Sequence, residues 1–391
     1  MNKKPIVFFS FHNSDRFSGA TRSLLDIIDQ FVKNDTYRLI AVFPTTTGTA
    51  IDYLQNIGVE IERCNYHILI QNEKEKRYRR ILKFPFFCYW YLQTSHEVKR
   101  IVNKYSEYEI AAVYNNTSVN IFGALINKYY GIPNIWHFRE YRHDDHGIYF
   151  FLGDKYLMRM ANRYASIINV ISQSMGEYHI QKGIDSKKLQ VVYNDVANSS
   201  YFEREWNNES ESLNILIAGD VKEGKGQLEV LESLMKVRSD VNWNLFLAGN
   251  FGDTAYCGMV KDFIKANKIE DKVHILGLVK NMNKLRKDCN VGIVASKKEA
   301  FGRVTVEGML AGLSMIGSNT GGTKELINHM ENGLLYQLGD HDDLVKCIEA
   351  MSNKKLRVRL AQKGQQFAID NFTVGNCYRT IEQEIRHFRR S

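Results

Sequence analysis

Two glutamates, Glu299 and Glu307, stand eight positions apart in the stretch EAFGRVTVEGMLAGLSMIGSNTGGTKELI, residues 299–327. Carboxylates accept hydrogen bonds from hydroxyls, as a sugar or a ribose presents them. Between them, Phe301, Gly302 and Arg303 lead into a helix expected over about 303–312, with Val304, Val306, Met309, Leu310 and Leu313 on its buried face. The first-turn amides of such a helix have no partner within it, and its dipole favours negative charge, so they can hold phosphate oxygens. A loop carboxylate above a helix start that bears another carboxylate suits a ligand with a polar half and an anionic half. Glu299 itself follows the apolar run 291–295, which reads as a strand of a parallel sheet.

Three other stretches carry residues that could do chemistry. GDVKEGKGQ, residues 219–227, offers Lys222 and Lys225 as cations. Gly219, Gly224 and Lys225 also spell most of a Walker A loop, but its last position needs a magnesium-ligating Ser or Thr and here holds Gly226. In NIWHFREYRHDDHG, His137 lies at the end of an expected strand, where open α/β sheets put ligands, although a lone His after a strand is most often structural. His143, Asp144, Asp145 and His146 read as a polar loop rather than a metal site, which would need defined geometry and a supporting shell. The first strand-to-helix turn contains Ser18, Gly19, Ala20 and Thr21, where a glycine marks a tight turn and says little alone.

EAFGRVTVE, followed by MLAGLSMIGSNTGGTKE with its Gly321, Gly322 and Glu325, resembles the signature of retaining glycosyltransferase family 4, also called glycosyltransferase group 1. The resemblance implies the α/β GT-B fold: two Rossmann-like domains facing across a cleft, with a C-terminal helix crossing back to the first. It implies a hexosyltransferase moving a sugar from a nucleotide-diphosphate sugar, UDP-linked in preference to GDP-linked, to a glycan or lipid-linked acceptor with retention. Bacterial surface polysaccharide synthesis is the expected setting, with no cofactor and no metal. It further implies that His137, Glu299 and Lys225 are catalytic. Gly19, Lys222, Lys225, Gly277, Glu299, Phe301, Gly302, Arg303 and Glu307 would bind the donor. Two positions depart from the pattern. Asp220 stands where the family has an arginine that neutralises the donor diphosphate, and Asp195 replaces the glycine of an Asn-Gly-Val-Asp motif at Asn194. Lys222 would have to supply the missing cation. A second reading, an inactive glycosyltransferase-like partner subunit, follows from those departures; a P-loop nucleotide-binding protein is the weaker rival.

These residues need a scaffold that repeats strand, loop and helix. Apolar runs at 6–10, 39–43, 59–62, 110–114, 134–138, 166–171 and 190–193 alternate with helical patterns starting near Ala20, Thr49, Arg77, Val119, Asp154 and Ser174. After a polar linker, 193–212, strands are expected at 213–218, 243–248, 273–276 and 291–295. Helices are expected from Gln227, at 255–268 and at 281–288, and three more from His341 to the end, with 372–388 as the crossing helix. The expected domains are 1–195 for the acceptor, 196–375 for the nucleotide-sugar, and 376–391 as the returning helix. With 391 residues, 44% apolar and 25% charged, the chain has the makeup of a soluble globular protein. No apolar run approaches the roughly 18 residues of a membrane span. MNKKPIVFFSFHNSD is too short in its apolar part for a signal peptide and reads as a first buried strand. Six scattered cysteines without ligand spacing point to a reducing, cytoplasmic compartment.

The net charge of +8 calls for anionic partners, and no nucleic-acid motif accompanies it. One segment concentrates it: EKEKRYRRILKFPFFCYWYL places Lys74, Lys76, Arg77, Arg79 and Arg80 before a run of aromatics. Basic residues beside aromatics suit a helix on an anionic membrane surface, expected over 74–92 at the inner face of the cell membrane. A core helix with a solvated basic end fits the same residues.

Overall fold

The computed structural model describes residues 3–72, 77–143, 147–196, 200–206, 210–373 and 375–390, and the chain divides into two compact units. Met1–Asp195 with Gly375–Ser391 form the first unit, and Val196–Val374 the second.

The first unit starts β1 (Ile6–Ser10), α1 (Gly19–Asn34), β2 (Arg38–Phe43), α2 (Thr49–Asn56), β3 (Glu60–Arg63), β4 (Ile70–Asn72) and α3 (Arg77–Lys104). It continues β5 (Ile110–Asn116), α4 (Phe122–Tyr130), β6 (Asn134–Phe138), β7 (Ile148–Phe150), α5 (Asp154–Tyr164), β8 (Ile167–Val170), α6 (Gln173–Gln181) and β9 (Leu189–Val191). The apolar runs become strands because β1, IVFFS, is buried at every position, as a parallel strand covered on both faces must be. Seven strands pair in parallel in the order β3-β2-β1-β5-β6-β8-β9. The order reverses between β1 and β5, so the carboxyl ends of those strands frame the crevice that such sheets use for ligands.

The second unit runs β10 (Leu213–Ala218), α7 (Gln227–Leu234), β11 (Trp243–Ala248), α8 (Ala255–Ala266), β12 (Val273–Gly277), α9 (Met282–Asp288) and β13 (Val291–Val294). Then come α10 (Arg303–Leu310), β14 (Ser314–Ser318), α11 (Thr323–Leu326), β15 (Leu334–Tyr336), α12 (His341–Met351) and α13 (Lys354–Phe372). Six strands pair in parallel as β12-β11-β10-β13-β14-β15, and the order reverses between β10 and β13. The core is aliphatic, built on Ile215, Leu245, Val260, Ile293 and Ile348.

Several elements differ from the sequence expectation. β4, β7 and β15 have three residues each, too few to show a period; β4 and β7 form a separate antiparallel pair. The helix expected near Val119 starts at Phe122, because Thr117 turns the chain at φ 71 after β5. No continuous helix covers 372–388: α13 stops at Phe372, and α14 (Asn376–Phe388) begins after Gly375 at φ 73, a left-handed conformation suited to glycine.

α14 joins the first unit's core through Cys377, Ile381 and Ile385, while Tyr378 meets Phe31 edge-on at 4.8 Å. Its first amides are held from outside: the Asp195 carboxylate accepts from the Cys377 N–H at 3.0 Å and the Tyr378 N–H at 3.3 Å. Burial pushes the Asp195 carboxyl up to about 6 against these amide bonds. Its folded value thus lies above the unfolded one, so this group's contribution is complete below the unfolded value and fades as pH rises through about 6. Asp195→Asn keeps an acceptor and should remove that slope from the first unit's denaturant transition. Asp195→Ala should cost about 1 kcal/mol, as loss of a helix cap does. Identical pH slopes in wild type and Asp195→Asn would show that the carboxylate does not carry the effect.

Candidate functional site

In the second unit, the switch-point loops follow β10 and β13, and backbone contacts hold them together. The Lys297 N–H donates to the Gly224 carbonyl at 3.0 Å, and Lys297 pairs with Glu223 at 2.6 Å. Gly226, the left-handed cap of α7 at φ 70, approaches so closely that a Cβ there would lie 2.2 Å from the Ala295 carbonyl oxygen. This closeness joins the two sequence-predicted groups. Lys225 Nζ donates to Glu299 Oε1, and the Ser296 hydroxyl donates to the same oxygen at 2.6 Å. Burial pushes the Glu299 carboxyl up, but the Lys225 ammonium, the Ser296 hydroxyl and the nearby Lys222 charge outweigh it and hold it below its usual range. Glu299 is an anion locked to a cation.

The glycine pair beneath explains the rest of the motif. The Gly322 N–H donates to the Glu299 carbonyl at 2.7 Å, and a Cβ on Gly321 would sit 2.4 Å from that oxygen. Gly322 likewise lies against the Phe301 carbonyl, so 321–322 support the loop 299–301 with no room for side chains. Gly302, left-handed at φ 96, then caps α10.

On α10, Glu307 is buried. Its Oε1 accepts from Arg303 Nε at 3.0 Å and its Oε2 from Arg286 Nη2 at 2.5 Å. Sequence reasoning missed Arg286: it sits in the charged helix NMNKLRKD, where nothing separates it from a solvated arginine. The ring of Phe301 is buried edge-on against Phe372 at 5.7 Å, so its side chain serves packing. Lys222 is exposed beside the Lys225–Glu299 pair. Asp220 is exposed as well, accepting from the Asn250 amide at 3.3 Å. Gly277 ends the edge strand β12 with φ 63, and its carbonyl takes the Gly249 N–H at 2.8 Å.

His137 and Gly19 belong to the first unit. His137, fully buried on β6, meets the Tyr114 hydroxyl through Nδ1 at 2.5 Å. Burial, then the charge of Arg139, pushes its imidazole well below the ordinary range. Arg139 Nε donates to Asn116 Oδ1 at 2.5 Å, and Asn116 Nδ2 donates to the Ala20 carbonyl at 3.2 Å. The Gly19 turn is thereby tied to the same sheet edge as His137. Neighbouring Glu140 accepts from the Ser118 N–H at 2.7 Å and hydroxyl at 2.6 Å, closing the loop after β5. Tyr114, Arg139 and Glu140 carried no motif that sequence reasoning could use. Among the described residues no group of three His, Cys, Asp or Glu side chains could hold a metal; Asp144, Asp145 and His146 lie outside them.

The family described as glycosyl transferases group 1 matches residues 201–367. N-acetyl-alpha-D-glucosaminyl L-malate synthase of Bacillus anthracis is 25% identical over 241 residues, which cover 59% of this chain and 62% of the relative. N,N'-diacetylbacillosaminyl-diphospho-undecaprenol alpha-1,3-N-acetylgalactosaminyltransferase of Campylobacter jejuni is 25% identical over 188 residues, covering 48% of each chain. The chain thus matches less than two thirds of either relative's length. Among solved structures, Anabaena HepE in complex with UDP has a TM-score of 0.78 at 20% identity, over 98% of this chain and 100% of that one. The same protein has also been solved with UDP-glucose. Two parallel α/β units and the fold shared with that structure lead to one statement: the chain has the GT-B fold, and its residues 201–367 match the glycosyl transferases group 1 family.

Proposed function

We propose that the protein transfers a sugar from a nucleotide-diphosphate sugar, UDP-linked in preference to GDP-linked, to a glycan or lipid-linked acceptor with retention of configuration. The observation that carries this is the Lys225–Glu299 pair across the switch-point loops, beside an α10 start that bears Arg303 and Glu307. The Anabaena structures with UDP and UDP-glucose support the base, and the Campylobacter relative's undecaprenol-linked substrate supports the acceptor class.

Breaking the bond from the anomeric carbon to phosphate leaves negative charge on the diphosphate and oxocarbenium character on the sugar. Fixed cations and amides must meet that charge where no metal does so. In this reading Lys225, Lys222, Arg303 and the first amides of α10 hold the diphosphate, with Gly302 and Phe301 contributing backbone. Glu307, oriented by Arg286 and Arg303, takes the ribose hydroxyls. Glu299 takes sugar hydroxyls, and His137 is the proposed catalytic residue of the first unit. Gly277 contributes close backbone approach, and Gly19 is the corresponding proposed donor-binding glycine of the first unit. The leaving phosphate oxygen accepts the proton of the acceptor hydroxyl as the new glycosidic bond forms on the face it vacates.

Asp220 favours one alternative, an inactive partner subunit that keeps the fold without the charge to stabilise a leaving group. The P-loop reading loses ground because Lys225 is held by Glu299 and Gly226 caps α7.

α3 supports a membrane setting. Tyr78, Ile81, Leu82, Phe86, Tyr89 and Leu92 recur at helical spacing and are all more than half exposed, an apolar stripe that a soluble protein rarely leaves uncovered. The basic residues before it match an anionic surface in charge.

Calorimetric titration with UDP, GDP, ADP and ATP, each with magnesium and with EDTA, tests the donor reading. One diphosphate binding undiminished in EDTA is expected; ATP binding that needs magnesium would favour the P-loop alternative. Lys225→Ala and Glu307→Ala should each cut turnover roughly ten- to a thousandfold, the scale of one lost transition-state contact. Near-native turnover in both would refute the site. For the membrane, sedimentation with anionic vesicles at low salt should capture the wild type and leave Leu82→Glu/Phe86→Glu in solution. Equal partitioning of both proteins would remove the stripe from the argument.

A further inference from the structure

The polar network behind His137 is not used by anything above. Arg139 is buried among first-unit groups, and its guanidinium donates in three directions. Nε goes to Asn116 Oδ1, Nη1 to Asn194 Oδ1, and Nη2 to the Tyr114 hydroxyl oxygen at 2.8 Å. The same hydroxyl lies 2.5 Å from His137 Nδ1, and all of these groups are buried.

An arginine can only donate, so the Tyr114 oxygen is the acceptor in that bond. Burial pushes the Tyr114 phenol far above its ordinary range, so it keeps its proton. That proton needs an acceptor, and Nδ1 of His137 is the one within reach. Nδ1 must then be bare. A neutral imidazole with a bare Nδ1 carries its hydrogen on Nε2. Nε2 is itself buried and has no hydrogen-bond partner among the described residues. A buried, unpartnered donor on a fully buried ring is costly to keep and marks a place where a ligand oxygen would be welcome.

We infer that Tyr114 is a positioning residue that holds His137 as its Nε2–H tautomer, with Arg139 and Asn194 holding Tyr114 in turn. The tautomer rests on this geometry alone; its use, donation of the Nε2 hydrogen to an oxygen of the donor, rests on the transferase reading. The network also reaches the last helix. Asn194 adjoins Asp195, whose carboxylate holds the first amides of α14. The element that completes the first unit therefore supports the residue that orients the histidine through two consecutive side chains.

Long-range proton–nitrogen correlation spectra of the uniformly labelled full chain read the tautomer directly. The His137 signals are assigned by comparison with His137→Gln. The expected wild-type pattern is a bare Nδ1 and a protonated Nε2, unchanged across the range where histidine ordinarily titrates. In Tyr114→Phe, which keeps ring volume, the Nδ1–H form should appear. Turnover should fall by about ten- to a hundredfold, up to the scale of losing one preorganised donor. A wild-type proton on Nδ1 overturns the inference, as does a Tyr114→Phe spectrum with the tautomer unchanged. If Tyr114→Phe does not fold, the wild-type spectrum decides. Because the tautomer is read without substrate, a protonated Nε2 in a protein that binds no nucleotide sinks the transferase reading and leaves the positioning role standing. A mixed tautomer with undiminished turnover overturns its use in the reaction.

Discussion

A single ammonium–carboxylate contact, Lys225 to Glu299, depends on most of what is unusual in the second unit's backbone. Its gross attraction is about 4 kcal/mol at an effective dielectric of 20, and removing two charges from water offsets most of that. The pair therefore adds little stability. What it provides is position, and several backbone contacts exist to hold it. Gly226 lets the loop after β10 touch Ala295, the Lys297 amide fastens that loop to Gly224, and Gly321 and Gly322 fill the space under Glu299 and Phe301. Gly226, Gly321 and Gly322 each lie against a neighbouring carbonyl, and Gly226 and Gly321 are left-handed as well. A methyl group at any of them would move the carboxylate.

This arrangement was partly legible in the sequence. Buried parallel strands appear as apolar runs whatever they pack against, so β1, β10, β11 and β13 could be read directly. The stretch 299–327 announced its loop, helix and glycine turn because the backbone contacts that shape it, such as the Gly322 N–H to the Glu299 carbonyl, are local. Contacts far apart in sequence left no such trace. Arg286 reaches Glu307 across 21 residues and Asn194 reaches Arg139 across 55, and neither spacing has a period. Glu307 read as a hydroxyl acceptor, and its two arginine partners emerge only from the folded chain. β4, β7 and β15 are too short for alternation to distinguish them from loop.

α3 illustrates a different limit. A stripe of apolar residues at helical spacing looks the same in sequence whether it faces a core or a lipid surface. Phe87 shows the core case, buried against Phe151 at 5.1 Å, while Phe86 beside it is 61% exposed. Exposure separates the two faces of one helix, and composition could not. Pro85 is tolerated between them at the cost of one backbone hydrogen bond.

Under the proposed function, Asp220 sets how a diphosphate would be held. On the loop 219–226 the charges of Lys222 and Lys225 are balanced by Asp220 and Glu223, and Lys297 tips the local charge to +1; an arginine at 220 would make it +3. The reversal is softened because Asp220 is exposed and turned to the Asn250 amide, and charges in solvent are screened over about 8 Å. In that reading, more of the leaving group's charge would fall on the α10 amides and Arg303. A helix terminus offers roughly half a unit of positive charge and cannot swing away, whereas a lysine offers a full unit on a flexible stem. Fixed dipoles need no reorganisation as charge develops. In the proposed reaction, a loop poor in cations beside a rigid helix start would therefore weaken ground-state grip on the nucleotide more than it weakens stabilisation of the departing phosphate.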